Sequence, residues 1–441
     1  MAVLPLLLLP AACATPRAGG AGVRTCIDAS TSCGSASANA SDIEGGLAVA
    51  ARYRVGAITT RRFTHDEFWR AVAPSLADSA LRSEEIGQSL LGRSIRAVTF
   101  GHGPTTVLLW SQMHGDESTA TMALADIFRY LAEARGDSLR ERLMSGLTVT
   151  FVPMLNPDGA ELFQRQNAVG IDVNRDARRL STPEARALKG LRDRLEPDFG
   201  FNLHDQNART RVGRDGEQAA IALLAPASGP DRGWTPGRTR ARLLASTIAR
   251  LLQAEIPGRV AKYDDTFNPR AFGDLIQQWG TSTVLIESGA LPDDPQKQRL
   301  RAINVAAILG ALDAIATGSY GATGSAAYDD LPFNQGGASD VIVLGARIVL
   351  PGRAPILADV ALNYDDAVAR TGPRVREIGD LEGAVAIDTV HADGQFLHFH
   401  PNSLVERGTG RWIDLDALAV FDIRRGPEPS SELVRSFGSN R

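Results

Sequence analysis

Four short runs of apolar residues recur along the first three quarters of the chain: TTVLLWSQM (105–113), LTVTFVPML (147–155), DFGFNLH (198–204) and STVLIES (282–288). Each has the length of a strand and little polar alternation, the pattern of a strand buried on both faces. Between them, TATMALADIFRYLAEA, PEARALKGLRDRL and RTRARLLASTIARLLQAEI carry apolar residues at helical spacing, and a last helix, QKQRLRAINVAAILGALDAIATG, ends at Gly318. Order is expected to begin near FTHDEFWRAVAPSL, where Thr64 and Glu67 make a capping box and Phe68, Trp69, Val72 and Leu76 repeat with helical period. The alternation predicts an α/β domain over residues 60–318, with a mainly parallel central sheet flanked by helices.

After about residue 320 the pattern changes to short β-type segments separated by Gly, Pro and Asp turns, which predicts a β-rich accessory domain over 320–441. The start, MAVLPLLLLPAAC (1–13), is an apolar run ending in small residues, expected to be a signal peptide and too short to cross a bilayer. LPAAC looks like a bacterial lipoprotein cleavage box, which makes Cys13 a candidate lipid anchor. Residues 14–45 are rich in Ala, Gly, Ser and Thr and read as a flexible linker. No later segment reads as apolar enough to span, so the expectation is an exported protein, periplasmic or extracellular or a membrane-anchored lipoprotein, with no transmembrane span.

Composition narrows the chemistry. The 441 residues carry 47 Lys+Arg against 51 Asp+Glu, and no basic block stands free of acidic neighbours, so no nucleic-acid partner is expected. Lysine occurs only at Lys189, Lys262 and Lys297. The three cysteines, Cys13, Cys26 and Cys33, all precede residue 34, which excludes a thiol nucleophile, a Cys-rich zinc finger and an iron–sulfur site from the globular part. With Cys13 lipidated, Cys26 and Cys33 remain as a pair able to close a small disulfide loop. Histidine chemistry must come from seven residues: His65, His102, His114, His204, His391, His398 and His400.

In QMHGDE, His114 and Glu117 follow an apolar strand at a spacing that lets an imidazole and a carboxylate converge on one metal ion, at the strand end where α/β folds place their clefts. A hydrolytic zinc site needs a third ligand and an open position, and His204 is the other histidine of this region that ends an apolar strand.

Six ordered motifs resemble the zinc carboxypeptidase family typified by carboxypeptidase A: EEIGQSLLGRSIRAVTFG (84–101), QMHGDE, LNPDG (155–159), IDVNRD (171–176), FNLHDQ and TVLIESG. The resemblance covers residues 60–318 and implies a mixed, mainly parallel sheet flanked by helices. It further implies one Zn2+ per chain held by His114, Glu117 and His204, with Asp172 hydrogen-bonded to the free ring nitrogen of His114. Asn174, sharing a face with Asp172 if the segment is extended, and Arg175 would grip the terminal carboxylate of a peptide with a free C-terminus. Glu287 would be the general base toward zinc-activated water, and Arg165 would polarise the scissile carbonyl. Tyr263 is the nearest candidate for a tyrosine that covers bound substrate. The function implied is hydrolysis of the C-terminal peptide bond. A same-fold amide hydrolase acting on acylated amino acids or cell-wall peptides, and a non-catalytic binding module, are the alternatives. His391, His398 and His400 form a rival cluster, with two imidazoles on one strand face, and read as structural or incidental, with metal binding as the alternative.

Overall fold

A computed structural model describes residues 33–408 and 410–438. The signal peptide, Cys13 and Cys26 lie outside the described residues. The strands of the α/β part are β1 (Leu81–Gln88), β2 (Ser94–Gly101), β3 (Thr105–Ser111), β4 (Leu147–Val152), β5 (Phe199–Asp205), β6 (Arg211–Val212), β7 (Ile221–Leu224), β8 (Val260–Lys262) and β9 (Ser282–Ser288), and β10 (Asn334–Gln335) follows the last long helix. Eight of them form one sheet in the order β1-β2-β4-β3-β5-β9-β7-β8, while β6 pairs separately with β10. The centre, β4-β3-β5-β9, is parallel, and antiparallel pairings enter at β1/β2, β2/β4 and β7/β9.

Helices α1 (Cys33–Arg52), α2 (His65–Leu76), α3 (Thr119–Glu133), α4 (Ser138–Gly146), α5 (Pro157–Leu162), α6 (Pro183–Leu195), α7 (Pro236–Glu255), α8 (Phe272–Gln278) and α9 (Gln298–Thr317) cover the sheet. Period two along β3 explains the two-sided core: Val107 and Leu109 pack with α3, α7 and α9, whereas Leu108 and Trp110 pack on the other face with α6 and α8. Thr64 caps α2 with the predicted reciprocal bonds to Glu67.

Two expectations are corrected. α9 is long and apolar enough by length and composition to cross a membrane. It is apolar because it is buried here, and it holds Arg301, only 1 % exposed, in a pair with Asp126 of α3. Second, the linker-like composition before residue 45 contains the start of α1. Ile43 and Leu47 of α1 pack on Leu251 and Ala306, and a Cβ on Gly46 would come within 2.7 Å of the Ala306 Cα, so the helix lies where only a bare backbone fits.

The C-terminal segments form a four-stranded sheet (Thr371–Gly379, Asp359–Asp366, Ser339–Leu344, Ala386–His391), a five-stranded sheet and a two-stranded one. They enclose their own apolar core, including Val341, Val360, Leu397 and Phe421. Residues 39–441 form one compact unit. Side chains of the α/β part tie down the sheets: Arg61 pairs with Asp366, Arg209 Nε donates to Asp340 (2.8 Å), and Arg211 Nη1 donates to the Ala386 carbonyl (2.8 Å).

Candidate metal centre

β3, β5 and β9 are adjacent and parallel, so the residues at their C-terminal ends gather on one edge of the sheet. His114 sits in the turn after β3, and the Glu117 N–H donates to its carbonyl at 3.1 Å, which folds the two side chains together. That turn needs Gly115, since a Cβ there would fall 1.9 Å from the Gly159 carbonyl carbon. The QMHGDE and LNPDG motifs are thus packed backbone to backbone, joined by Leu155 N–H to Ser111 C=O (3.1 Å) and Asn156 N–H to Gln112 C=O (3.0 Å). His204, in β5, stands beside Glu287 of β9 in register.

His114 Nδ1 lies 2.7 Å from Glu117 Oε1, and His204 Nδ1 lies 2.6 Å from Glu117 Oε2. One ligand atom from each of the three residues lies within 4.8 Å of the others, and all three are buried. The second nitrogen of His114, Nε2, is 2.9 Å from Asp172 Oδ1, which leaves Nδ1 to face the centre. Two neutral-capable imidazoles and one carboxylate with their lone pairs converging are a donor set that suits zinc with an open position. Asp172 is itself extended, but the residues after it are not: it caps a 3-10 turn, Val173–Arg175, by accepting from Asn174 N–H at 2.9 Å.

Burial opposes ionisation of Glu117, but His114 and His204 outweigh it and hold the carboxyl well below its usual range. Burial also works against a charge on His114, yet Glu117 and Asp172 push it up to about 9. His204 is pulled down, chiefly by burial. Glu287 is pushed well above the usual carboxylate range by burial and then by the charge of Glu117.

These groups line a cavity of about 540 Å³ that also includes Arg165, Asn174, Arg175 and Tyr263. Arg165 forks onto Asp172 Oδ2 through Nε (3.1 Å) and Nη2 (3.0 Å), and its Nη1 donates to Glu117 Oε1 at 3.1 Å. Asn174 Oδ1 accepts from Phe272 N–H (2.9 Å), and Arg175 Nη1 donates to the Asn174 carbonyl (2.9 Å). Tyr263 follows β8 on the cavity wall, and the charge of Glu287 and burial raise its hydroxyl to about 12. Eight of the expected site residues therefore line one cavity, and Asp172 stands behind it, in contact with His114 and Arg165. The rival histidines do not line it: His398 Nε2 meets the Gly426 carbonyl (3.1 Å), His400 faces Asp422 (3.5 Å), and His391 is exposed.

Residues 67–205 match the family model described as zinc carboxypeptidase. This part of the chain is similar to the zinc carboxypeptidase family. Probable carboxypeptidase 2 of Trichophyton verrucosum is 30% identical over 123 residues, 27% of this chain and 23% of that protein. An uncharacterized protein of Zymomonas mobilis is 27% identical over 147 residues, 32% of this chain and 38% of that protein. The chain thus spans less than a quarter of the length of the fungal relative and well under half of the bacterial one. Among solved structures, a metallo-carboxypeptidase from Burkholderia cenocepacia has a TM-score of 0.45 at 20% identity, covering 57% of this chain and 70% of that one.

Around the cavity, sequence reasoning missed several groups. Asp205, next to His204, donates its N–H to Glu117 Oε2 (3.1 Å), and its carboxylate accepts from Thr119 (2.6 Å) and Lys297 (2.9 Å). A buried lysine in a chain with only three was the available signal. Asp274 and Asn334 also line the cavity, and no motif marked them.

Proposed function

We propose that the chain is a zinc-dependent carboxypeptidase that hydrolyses the C-terminal peptide bond of peptides. The observation that carries the reading is the convergence of His114, Glu117 and His204 on one point, with Glu287 in register beside His204 in the same cavity. His114, Glu117 and His204 would hold the ion, and Asp172 fixes the His114 tautomer. A bound Zn2+ supplies Lewis acidity, polarising a carbonyl and lowering the pKa of water.

The remaining work falls to the chain's own side chains. Arg175 and Asn174 bind the free terminal carboxylate, for which a planar guanidinium is suited by charge and fork geometry. Arg165, oriented by Asp172 and Glu117, keeps part of its fork for the oxygen that gains charge as the amide carbon becomes tetrahedral. Glu287 takes a proton from the attacking water and returns it to the departing amine nitrogen as the C–N bond breaks. A carboxylate whose proton affinity is raised by burial suits both halves of that exchange. Tyr263 covers the bound residue. The apolar leader supports export, with Cys13 as the lipid attachment point.

Metal analysis tests the assignment. Wild-type protein should bind one Zn2+ per chain, His204→Ala should lose it, and a chelator that strips the ion should stop peptide hydrolysis. Hydrolysis that persists in fully stripped protein would overturn the proposal.

A further inference from the structure

The wall of the cavity divides into two hydrogen-bonded groups. One is Asn174 and Arg175 with the loop before α8, joined by Phe272 N–H to Asn174 and by the Ala177 N–H to the Arg270 carbonyl (3.1 Å). The other begins two residues after His204. Gln206 N–H donates to the Ser288 carbonyl (2.9 Å), and Gln206 Oε1 accepts from Asn334 Nδ2 (2.9 Å). Asn334 and Gly336 belong to the segment that leads from α9 into the C-terminal sheets, and both line the cavity.

This segment is fastened to the catalytic edge at three points. β10 pairs with β6 in the register Asn334↔Val212 and Gln335↔Arg211. Gly213 N–H donates to the Phe333 carbonyl (2.8 Å), and Lys262 N–H, next to Tyr263, donates to the Pro332 carbonyl (2.8 Å). Arg209 and Arg211 then anchor the same loop to the C-terminal sheets. The bond to Gln206 occupies one Nδ2 hydrogen of this cavity-lining residue, and its Oδ1 keeps the capacity to accept a hydrogen bond.

We infer that the segment Phe333–Gly336 is a substrate-binding wall, in which Asn334 accepts a backbone N–H from the peptide on the amino side of the scissile bond. The inference rests on the carboxypeptidase reading: with the terminal carboxylate assigned to Asn174 and Arg175, the second group is left for the preceding residues. A peptide backbone presents N–H groups that an amide oxygen satisfies whatever the side chains are, so the wall reads length rather than sequence.

Calorimetric titration of the zinc-loaded, full-length Glu287→Gln protein tests this without turnover. The probes are acetylated peptides that share one C-terminal residue and grow residue by residue toward the amino end. Affinity should rise with the first added residues. Asn334→Ala should remove that gain, about five- to tenfold, while the single acetylated residue binds as before. Gly336→Leu is the second variant. A Cβ at Gly336 meets nothing within 4 Å, so the fold accepts the side chain while the cavity narrows, and longer probes should again lose affinity selectively. A length gain that survives both substitutions, or an equal loss for every probe, would overturn the inference and leave the carboxypeptidase reading standing. Failure of every probe to bind would overturn both.

Discussion

At the residue scale, the proposal concentrates proton transfer on Glu287 and ion binding on the other three side chains. Glu287→Gln is therefore expected to lower kcat by about 10²–10⁴-fold while zinc content measured by mass spectrometry is unchanged. Asp172→Asn should act on the ion instead: it can no longer hold the His114 tautomer as a carboxylate, and competition with a chromogenic chelator should show zinc affinity about 10–100-fold weaker. Asp274 gives a test by pH. Burial raises its carboxyl from 3.8 to about 6, so the folded protein binds this proton more tightly than the unfolded chain. Its contribution to stability is then full below the unfolded value and is lost as pH rises through about 6, a change of at most about 3 kcal/mol. Asp274→Asn should melt higher than wild type at pH 8, with the gap closing as the buffer approaches pH 4. A constant gap across that range would contradict the assignment.

At the scale of elements, the site was legible because β3, β5 and β9 are buried on both faces, and a polar side chain ending such a run stands out. His114, His204 and Glu287 are each such an ending. Asn334 was not legible: it reaches Gln206 from 128 residues away, through a two-residue pairing that leaves no periodicity to read. α1 was hidden by its Ala, Ser and Gly content, since its order depends on the close approach to Ala306 and not on local propensity. The 3-10 turn at Val173–Arg175 was also missed, because an Asp cap changes the backbone without changing the apolar pattern. α9 shows the opposite difficulty. Its apolar face is paid for by burial, and its one charged core group, Arg301, donates to Asp126 and to the Ile58 and Val55 carbonyls. Asp126→Ala would leave that guanidinium buried without its counter-ion, and chemical denaturation should show a loss of about 3–5 kcal/mol.

At the scale of the whole molecule, the ion pairs and hydrogen bonds that run from Arg61, Arg209 and Arg211 to the C-terminal sheets join two cores that the sequence presents as separable. Scanning calorimetry should accordingly show one cooperative transition for residues 39–441, and two well-separated transitions would contradict that coupling. The central claim is that these elements assemble a zinc carboxypeptidase. It is tested most directly by mass spectrometry of a diverse peptide pool, each peptide present with a free and with an amidated C-terminus, incubated with and without chelator. The account predicts loss of a single residue from free C-termini, resistance of the amidated partners, and no cleavage in chelator. Equal trimming of amidated peptides, or cleavage at internal bonds, would contradict it.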